Sequence, residues 1–459
     1  MLNENKKALS RRTFLKFVSV AAAGAALAAC APPAPAGNAP AASGGGAAAP
    51  AAQGKTVAYW YNWSNLDPAL VKIVETDEYK KIMGDTKLEY KGSVNDEALL
   101  TAIAGGNPPD CQSNHPYFDL FTRGAAIPVQ DMVSASAYVK KEKMFDWVWN
   151  YAQYQGQMVG VPGIESYVQW GLNYNTDAAQ KAGLDPKAPP ATWAETLEWH
   201  KKLTKKDAAG NLLQMGLDPG DAMGGDVDYG ASSYGVTWYD EKTKEFKLDD
   251  ERVAAYLDMA GQFIKFAGPD QFAGLRQVQG NGTWGAAYSA GVQTMIIEGY
   301  WHPGETMHEK PEIAKVNQAT WGPRSDDRKD VKMQAVNAHF VQILKDGKNH
   351  TGSFNLGEVF NTVKACDIIF KEVGWIHPLK EFIPTVDANA YPGLKFYVDS
   401  EKSATEWHLL RRCPIHWFVA TQLGELRDKV ARDQMKATDA ANELQKRAVE
   451  EFKNQGLNK

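Results

Sequence analysis

The chain has 459 residues, 44% hydrophobic and 23% charged, enough to bury more than one core. Fifty Lys and Arg against 55 Asp and Glu leave a formal charge of −5, which argues against a nucleic-acid binder with its basic face. Four cysteines exclude a disulfide-rich scaffold, and no run of about 18 apolar residues beyond the leader reads as a membrane span.

Lys6, Lys7, Arg11, Arg12 and Lys16 precede an apolar, small-residue run from Phe17 to Ala29, the charged and hydrophobic parts of an export signal. Ser10-Arg11-Arg12-Thr13-Phe14-Leu15-Lys16 carries a twin-arginine pattern, so export by the Tat route is expected. Leu27-Ala28-Ala29-Cys30 resembles the lipobox of bacterial lipoproteins, which implies cleavage before Cys30 and a diacylglycerol on its thiol. Residues 31–54 are Ala, Pro and Gly with single Asn, Ser and Gln and no charge, the composition of a disordered tether. As a flexible coil such a segment spans ~25–30 Å. The expected location is the outer face of the cell membrane, extracellular or periplasmic. Without residues 1–29 the charge falls to −9, which disfavours contact of the body with anionic surfaces. Cys111, Cys366 and Cys413 then read as buried thiols, with one disulfide as the alternative.

In the body, Val57 to Tyr61 is a short β-rich run that breaks at Asn62-Trp63-Ser64-Asn65, a polar and aromatic loop. Asn95-Asp96 opens a helix with Leu99, Leu100 and Ile103 as its apolar positions, closed by Gly105-Gly106. Thr192 to Glu195 has capping-box spacing, and Trp193, Leu197, His200 and Thr204 share one face of the helix that follows. Gly291 to Ile297 reads as a buried strand ending at Glu298-Gly299-Tyr300-Trp301. The last helix, about Thr438 to Lys453, puts Ala441, Leu444, Ala448 and Phe452 on one stripe. Strands alternating with helices predict an α/β fold with a mainly parallel sheet and any ligand at the strand carboxyl ends.

Several segments resemble, in order, those of the extracellular solute-binding proteins of family 1, the sugar receptors of ABC importers that include maltose-binding protein. Leu100 to Asp110 resembles the "AxGxxPD" segment, and Tyr154 to Pro162 resembles "yxGkxyGlP". Leu172 to Asp177 is similar to "lyYNkd", and Ala182 to Trp193 to "aGld…PpTwdE". Ser289 to Trp301 resembles "fxxGkaAMxixGxW", with Glu298 where many members carry Asn or Asp. Pro414-Ile415-His416-Trp417 is similar to the C-terminal sugar-contacting region. Val331 to Gly374 matches only weakly.

The resemblance implies a two-lobed, periplasmic-binding-protein-like (type II) fold with a hinge and an interlobe ligand cleft. Crossings near residues 165, 328 and 376 would give one lobe of 55–165 with 329–376 and another of 166–328 with 377–459. It further implies a monomeric, membrane-anchored receptor that captures a carbohydrate, on the many tryptophans an oligosaccharide, and hands it to a permease without covalent chemistry. A charged solute or peptide, or a surface glycoside hydrolase, stand as the alternatives.

A sugar needs flat aromatics for its apolar face and fixed polar groups around its rim. Fourteen tryptophans supply platforms. The resemblance puts Trp301 and Trp417 at stacking positions, and Trp63 sits in the polar loop after the first strand, whereas Trp60 is expected to pack inward. For the rim the expected contacts are Asn62, Asn114, His115 and Glu165, with Tyr167, Trp170, Trp238 and Tyr300 behind them. Glu298 would accept from hydroxyls or hold a cationic group, and Asp110 is expected to brace its loop. Gly280 to Gly285 formally matches GxGxxG but follows a polar run, not a strand, so it reads as no dinucleotide site. His302, Glu305, His308 and Glu309 read as loop residues, Cys413 and His416 lack a partner pair, and no metal or cofactor is expected.

Overall fold

The computed structural model describes residues 55–278 and 285–458. The leader, Cys30, the tether and Gly280 to Trp284 lie outside the described residues.

Fourteen strands are present among these residues. In the first half they are β1 (Thr56–Tyr61), β2 (Lys87–Lys91), β3 (Cys111–Ser113), β4 (Gln153–Tyr154), β5 (Gln157–Met158), β6 (Val161–Gly163), β7 (Gly171–Asn175), β8 (Lys205–Lys206) and β9 (Leu212–Leu217). In the second half they are β10 (Gln293–Glu298), β11 (Asn317–Thr320), β12 (Met333–Val336), β13 (His339–Ile343) and β14 (Glu406–Leu409).

The first lobe is built on a sheet of order β2-β1-β3-β13-β6. Strand β1 pairs parallel with both β2 and β3, while β13 runs antiparallel to β3 and β6. Val57, Tyr59 and Tyr61 point into the core in strict alternation, as a β-rich run with one covered face should. Strand β2 carries Lys87 and Lys91 on exposed positions at the sheet edge, where charge discourages edge-to-edge pairing. Asp110 accepts from the backbone N–H groups of Ala58 at 2.7 Å and Asn349 at 2.8 Å, so it braces the start of the sheet rather than facing a ligand.

The second lobe has the order β11-β7-β10-β9-β8. All six residues of β10 are buried because it lies between β7 and β9 at the middle of the sheet. The helix Trp193–Leu203 starts with a complete capping box from Thr192 and Glu195. The final helix, Ala437–Asn454, buries Ala441, Leu444, Ala448 and Phe452 and packs with the helix His416–Ala431 against Glu251–Ala267.

The crossings meet at a small ribbon in which β12 pairs parallel with β14. Residues 326–328, near the expected second crossing, form a short 3-10 turn, and β12 still pairs with β14 before the chain enters the first sheet at β13. At the first crossing Ser166 and Gln169 both bond Asn337, and Val168 bridges Val336. At the third, Ser166 N–H donates to Ile376 C=O at 2.9 Å. Cys111, Cys366 and Cys413 are free and buried, with no disulfide. No described helix is long and apolar enough to cross a membrane.

Candidate ligand site

Between the lobes lies a cavity of about 260 Å³. The first lobe gives it Asn62 and Trp63 after β1, Asp96 at a helix start, and Asn114, His115, Tyr117 and Asp119 beyond β3. The hinge adds Asn337 and His339, and the second lobe adds Arg411, Pro414, His416 and Trp417.

The first-lobe wall is held in place by its own polar contacts. Asn95 caps the helix Asp96–Ala104, which leaves the Asp96 carboxylate facing the cavity. Its Oδ1 accepts from Asn62 Nδ2 at 3.1 Å and lies 2.6 Å from His115 Nδ1. His115 Nε2 is buried with no protein partner. Asn114 adopts φ 59°, a left-handed turn that Asn tolerates better than most residues. Asp119 is held by Arg123 Nε at 2.6 Å, yet burial pushes its carboxyl above the usual range against that pairing.

The opposite wall is an ion network. Arg411, at φ 57°, donates its backbone N–H to Asp228 Oδ2 at 2.6 Å, and its Nε lies 3.3 Å from Asp226 Oδ2. Its guanidinium lies 4.7 Å from the centroid of the Trp417 ring. His416 Nε2 is 3.4 Å from Asp226 and its Nδ1 3.7 Å from Asp228, neither aligned as a hydrogen bond. Burial raises Asp226, but His416 and Arg411 outweigh it and hold this carboxyl well below the usual range. Asp228 is raised by burial and by Asp226, against the pull of His416.

Asp226, Asp228 and His416 are spaced for a metal ion. Their carboxylate oxygens are already engaged: Asp228 Oδ1 accepts from Trp238 Nε1, Asp226 Oδ1 accepts from Asp228 N–H, and the other oxygens face Arg411. Two buried carboxyls, a guanidinium and an imidazole thus satisfy one another without an ion.

Of the twelve expected contacts, Asn62, Trp63, Asn114, His115 and Trp417 line this cavity. Seven do not. Glu165 is buried behind it, its Oε1 2.9 Å from His339 Nδ1, which also bonds the Tyr61 hydroxyl. Tyr167 packs on Tyr300 and Trp147, and Trp170 lies between Tyr229 and His408. Trp238 sits under the network, its ring against His416.

Glu298, Tyr300 and Trp301 form a separate buried group. Trp301 is only 6% exposed because its ring folds back over Gly299, where a Cβ would lie 2.1 Å from it. Burial, then Glu305 and Asp221, push Glu298 well above the usual carboxyl range, so it holds a proton rather than a cation. His302 to Glu309 is a helix and not a loop: Pro303 sits in its first turn, where the missing N–H is harmless. Glu305 Oε1 accepts from Trp375 Nε1 at 2.7 Å and Asn65 Nδ2 at 3.4 Å. Packing around its carboxyl pushes it up to about 8, although the side chain is only partly covered.

Asp96, Tyr117, Asn337, His339, Arg411 and His416 were not among the expected contacts. Asn337 and His339 follow the hinge ribbon, and Arg411 depends on a left-handed turn, neither of which leaves a local pattern. The Pro414-Ile415-His416-Trp417 segment was the one signal pointing near Arg411 and His416.

Two lobes on separate sheets, joined by three crossings, frame a cavity lined from both walls. The chain belongs to the family of bacterial extracellular solute-binding proteins, which it matches over residues 63–302, just over half its length. It is 26% identical over 220 residues to an sn-glycerol-3-phosphate-binding periplasmic protein of Brucella abortus, covering 44% of this chain and 50% of that one. The protein of that name in Agrobacterium fabrum is 33% identical over 159 residues, 32% of this chain and 36% of its own. The chain thus spans about half the length of the curated relatives it matches. Among solved structures, CpMnBP1 with mannotriose bound superposes with a TM-score of 0.74 at 20% identity, covering 85% of this chain and 98% of that one. The maltose/maltodextrin-binding domain of Bdellovibrio bacteriovorus bound to maltotriose gives 0.66 at 14% identity, covering 87% and 100%. The shared fold is the type II periplasmic-binding-protein architecture.

Proposed function

We propose that this protein is the receptor of an ABC importer, capturing a neutral oligosaccharide in the interlobe cavity and passing it to a membrane permease. The observation that carries this is the lining itself: an exposed indole, Trp417, on one wall faces a rim of short polar side chains on the other. His115 Nε2, buried there without a protein partner, suits a ligand hydroxyl. Asn62, Trp63, Asn114, His115 and Trp417 are the proposed contacts, together with Asp96, Asn337, Arg411 and His416. Glu165, Tyr167, Trp170, Trp238, Glu298, Tyr300 and Trp301 support the hinge and the second lobe behind them.

The relatives' names raise a polyol phosphate as the other cargo. Charge weighs against it. Arg411 is the one guanidinium in the lining among the described residues, and it already faces Asp226 and Asp228, while Asp96 and Asp119 stand on the opposite wall. A phosphate would meet no net positive field.

The chain does no covalent chemistry on its ligand. A glycosidase needs two carboxyls flanking one bond. Asp96 and Asp119 rise from neighbouring helices of a single wall, and each is tied to a base, His115 and Arg123. The lobes are assigned as 55–165 with about 337–376, and 166–336 with 377–459, the second crossing moved past β12. Export by the Tat route, lipidation at Cys30 and a tether of residues 31–54 hold this monomeric body at the outer face of the membrane.

Thermal unfolding with mannotriose, maltotriose and glycerol 3-phosphate tests the reading. Ligand at a hundred times its dissociation constant stabilises a protein by ~2.7 kcal/mol. Stabilisation by an oligosaccharide alone is expected. Stabilisation by glycerol 3-phosphate alone would overturn the ligand class, and release of shorter sugars would overturn the absence of catalysis.

A further inference from the structure

A second cavity of about 250 Å³ lies on the flank of the second lobe, beside the interlobe cavity and nearly equal to it in volume. Cys413 lines both. The wall between them is the segment Arg411–Cys413 with the Asp228–His416 layer: Asp228 faces the second cavity and His416 the first.

Three features distinguish it from an ordinary surface crevice. Trp407 and Trp417 are the two exposed indoles among the described residues, at 36% and 42%, and each lines one of the two cavities. An indole left open to water forgoes the gain of burial unless something flat covers it. Trp407 is also held in place, stacked on Trp147 at 6.1 Å and 13°.

The polar groups are fixed as well. Arg412 grips Glu241 with both ends of the fork, at 2.7 and 2.9 Å, and donates to Tyr151 C=O and Gln153 C=O. Ser232 Oγ lies 3.2 Å from His408 Nδ1, and His408 Nε2 lies 2.7 Å from Glu406. Thr237 stands exposed at the rim. Arg412 is neutralised by Glu241, and Asp228 by the network behind it, so the site holds no net charge to attract an ion. Trp407 is the one exposed indole lining this cavity among the described residues, so it offers a platform for one ring.

We propose that this cavity is a second saccharide site, in which a single neutral sugar ring lies on the Trp407 indole and its hydroxyls meet Ser232, Thr237 and Glu241. It does not depend on what the interlobe cavity holds.

Saturation-transfer NMR and calorimetry with mannose, glucose, mannotriose and maltotriose on the purified protein test it. With the interlobe site weakened by Trp417→Ala, at least one of the four sugars still binds. Adding Trp407→Phe, which keeps a ring against Trp147, weakens that residual binding about tenfold. Thr237→Trp fills the rim, removes the residual binding and leaves the unfolding temperature and the interlobe affinity unchanged. No residual binding in Trp417→Ala, or residual binding indifferent to both added changes, overturns the second site while leaving the interlobe reading intact. Binding indifferent to Trp417→Ala but blocked by Thr237→Trp overturns the interlobe reading and keeps the second site.

Discussion

Two acid-rich regions of this protein show opposite electrostatics. Asp226 and Asp228 are buried beside Arg411 and His416, and Asp226 is held below its ordinary range despite burial. Glu298 and Glu305 lie at the base of the second lobe with indole N–H groups, an amide and each other for neighbours, and both are pushed up. Burial acts on all four in the same direction, and only at Asp226 do Arg411 and His416 outweigh it; Asp228 beside it is raised like the two glutamates. Only the first region, where Asp226 keeps its charge, borders the interlobe cavity through Arg411 and His416. The second is a neutral, hydrogen-bonded support under the hinge.

The largest test of this contrast removes the compensation. Asp226→Asn leaves Arg411 and His416 facing one anion fewer, and chemical denaturation should show a loss of about 3 kcal/mol. A change below 1 kcal/mol, within the range of ordinary substitutions, would mean that the network contributes little. Next comes the ligand: Trp417→Ala should weaken saccharide binding by ~1–3 kcal/mol in calorimetry if its exposed ring is the platform.

The pH dependences of the two regions should have opposite signs. A depressed carboxyl such as Asp226 contributes stability that is present above its unfolded range and lost on acidification. Glu305 is raised from 4.5 to about 8, so the folded state binds its proton more tightly than the unfolded chain. Its contribution is complete below pH 4.5 and lost as pH rises through about 8. Denaturation from pH 5 to 9 should therefore show a falling limb that Glu305→Gln flattens; an unchanged limb would place the proton elsewhere. The smallest effect is expected at Glu298, where Glu298→Gln near neutral pH should change stability by less than about 1 kcal/mol, since the acid is already uncharged.

Much of the fold was legible because it is local. The alternation of β1, the capping box at Thr192 and the apolar stripe from Ala441 to Phe452 each follow from spacing a few residues long. The helix at His302 is hidden in the sequence because Pro303 and the dense polar residues look like a break, although proline is allowed in a first helical turn. For the cavity lining, the loop after β1 is legible as a polar and aromatic break, and the segment around Trp417 through its resemblance to the family's C-terminal region. Trp301 was not distinguishable from Trp417 by motif alone: one folds over Gly299 and the other faces the cavity.

By itself the sequence determined many of the strands and helices and the resemblance that places the chain in its family, since these are written in short contiguous patterns. The tertiary structure alone decided which tryptophans stay open, which acids keep their charge, and that Arg411 meets Asp226 across 185 residues of chain. Burial and charge compensation are set by neighbours that only folding brings together.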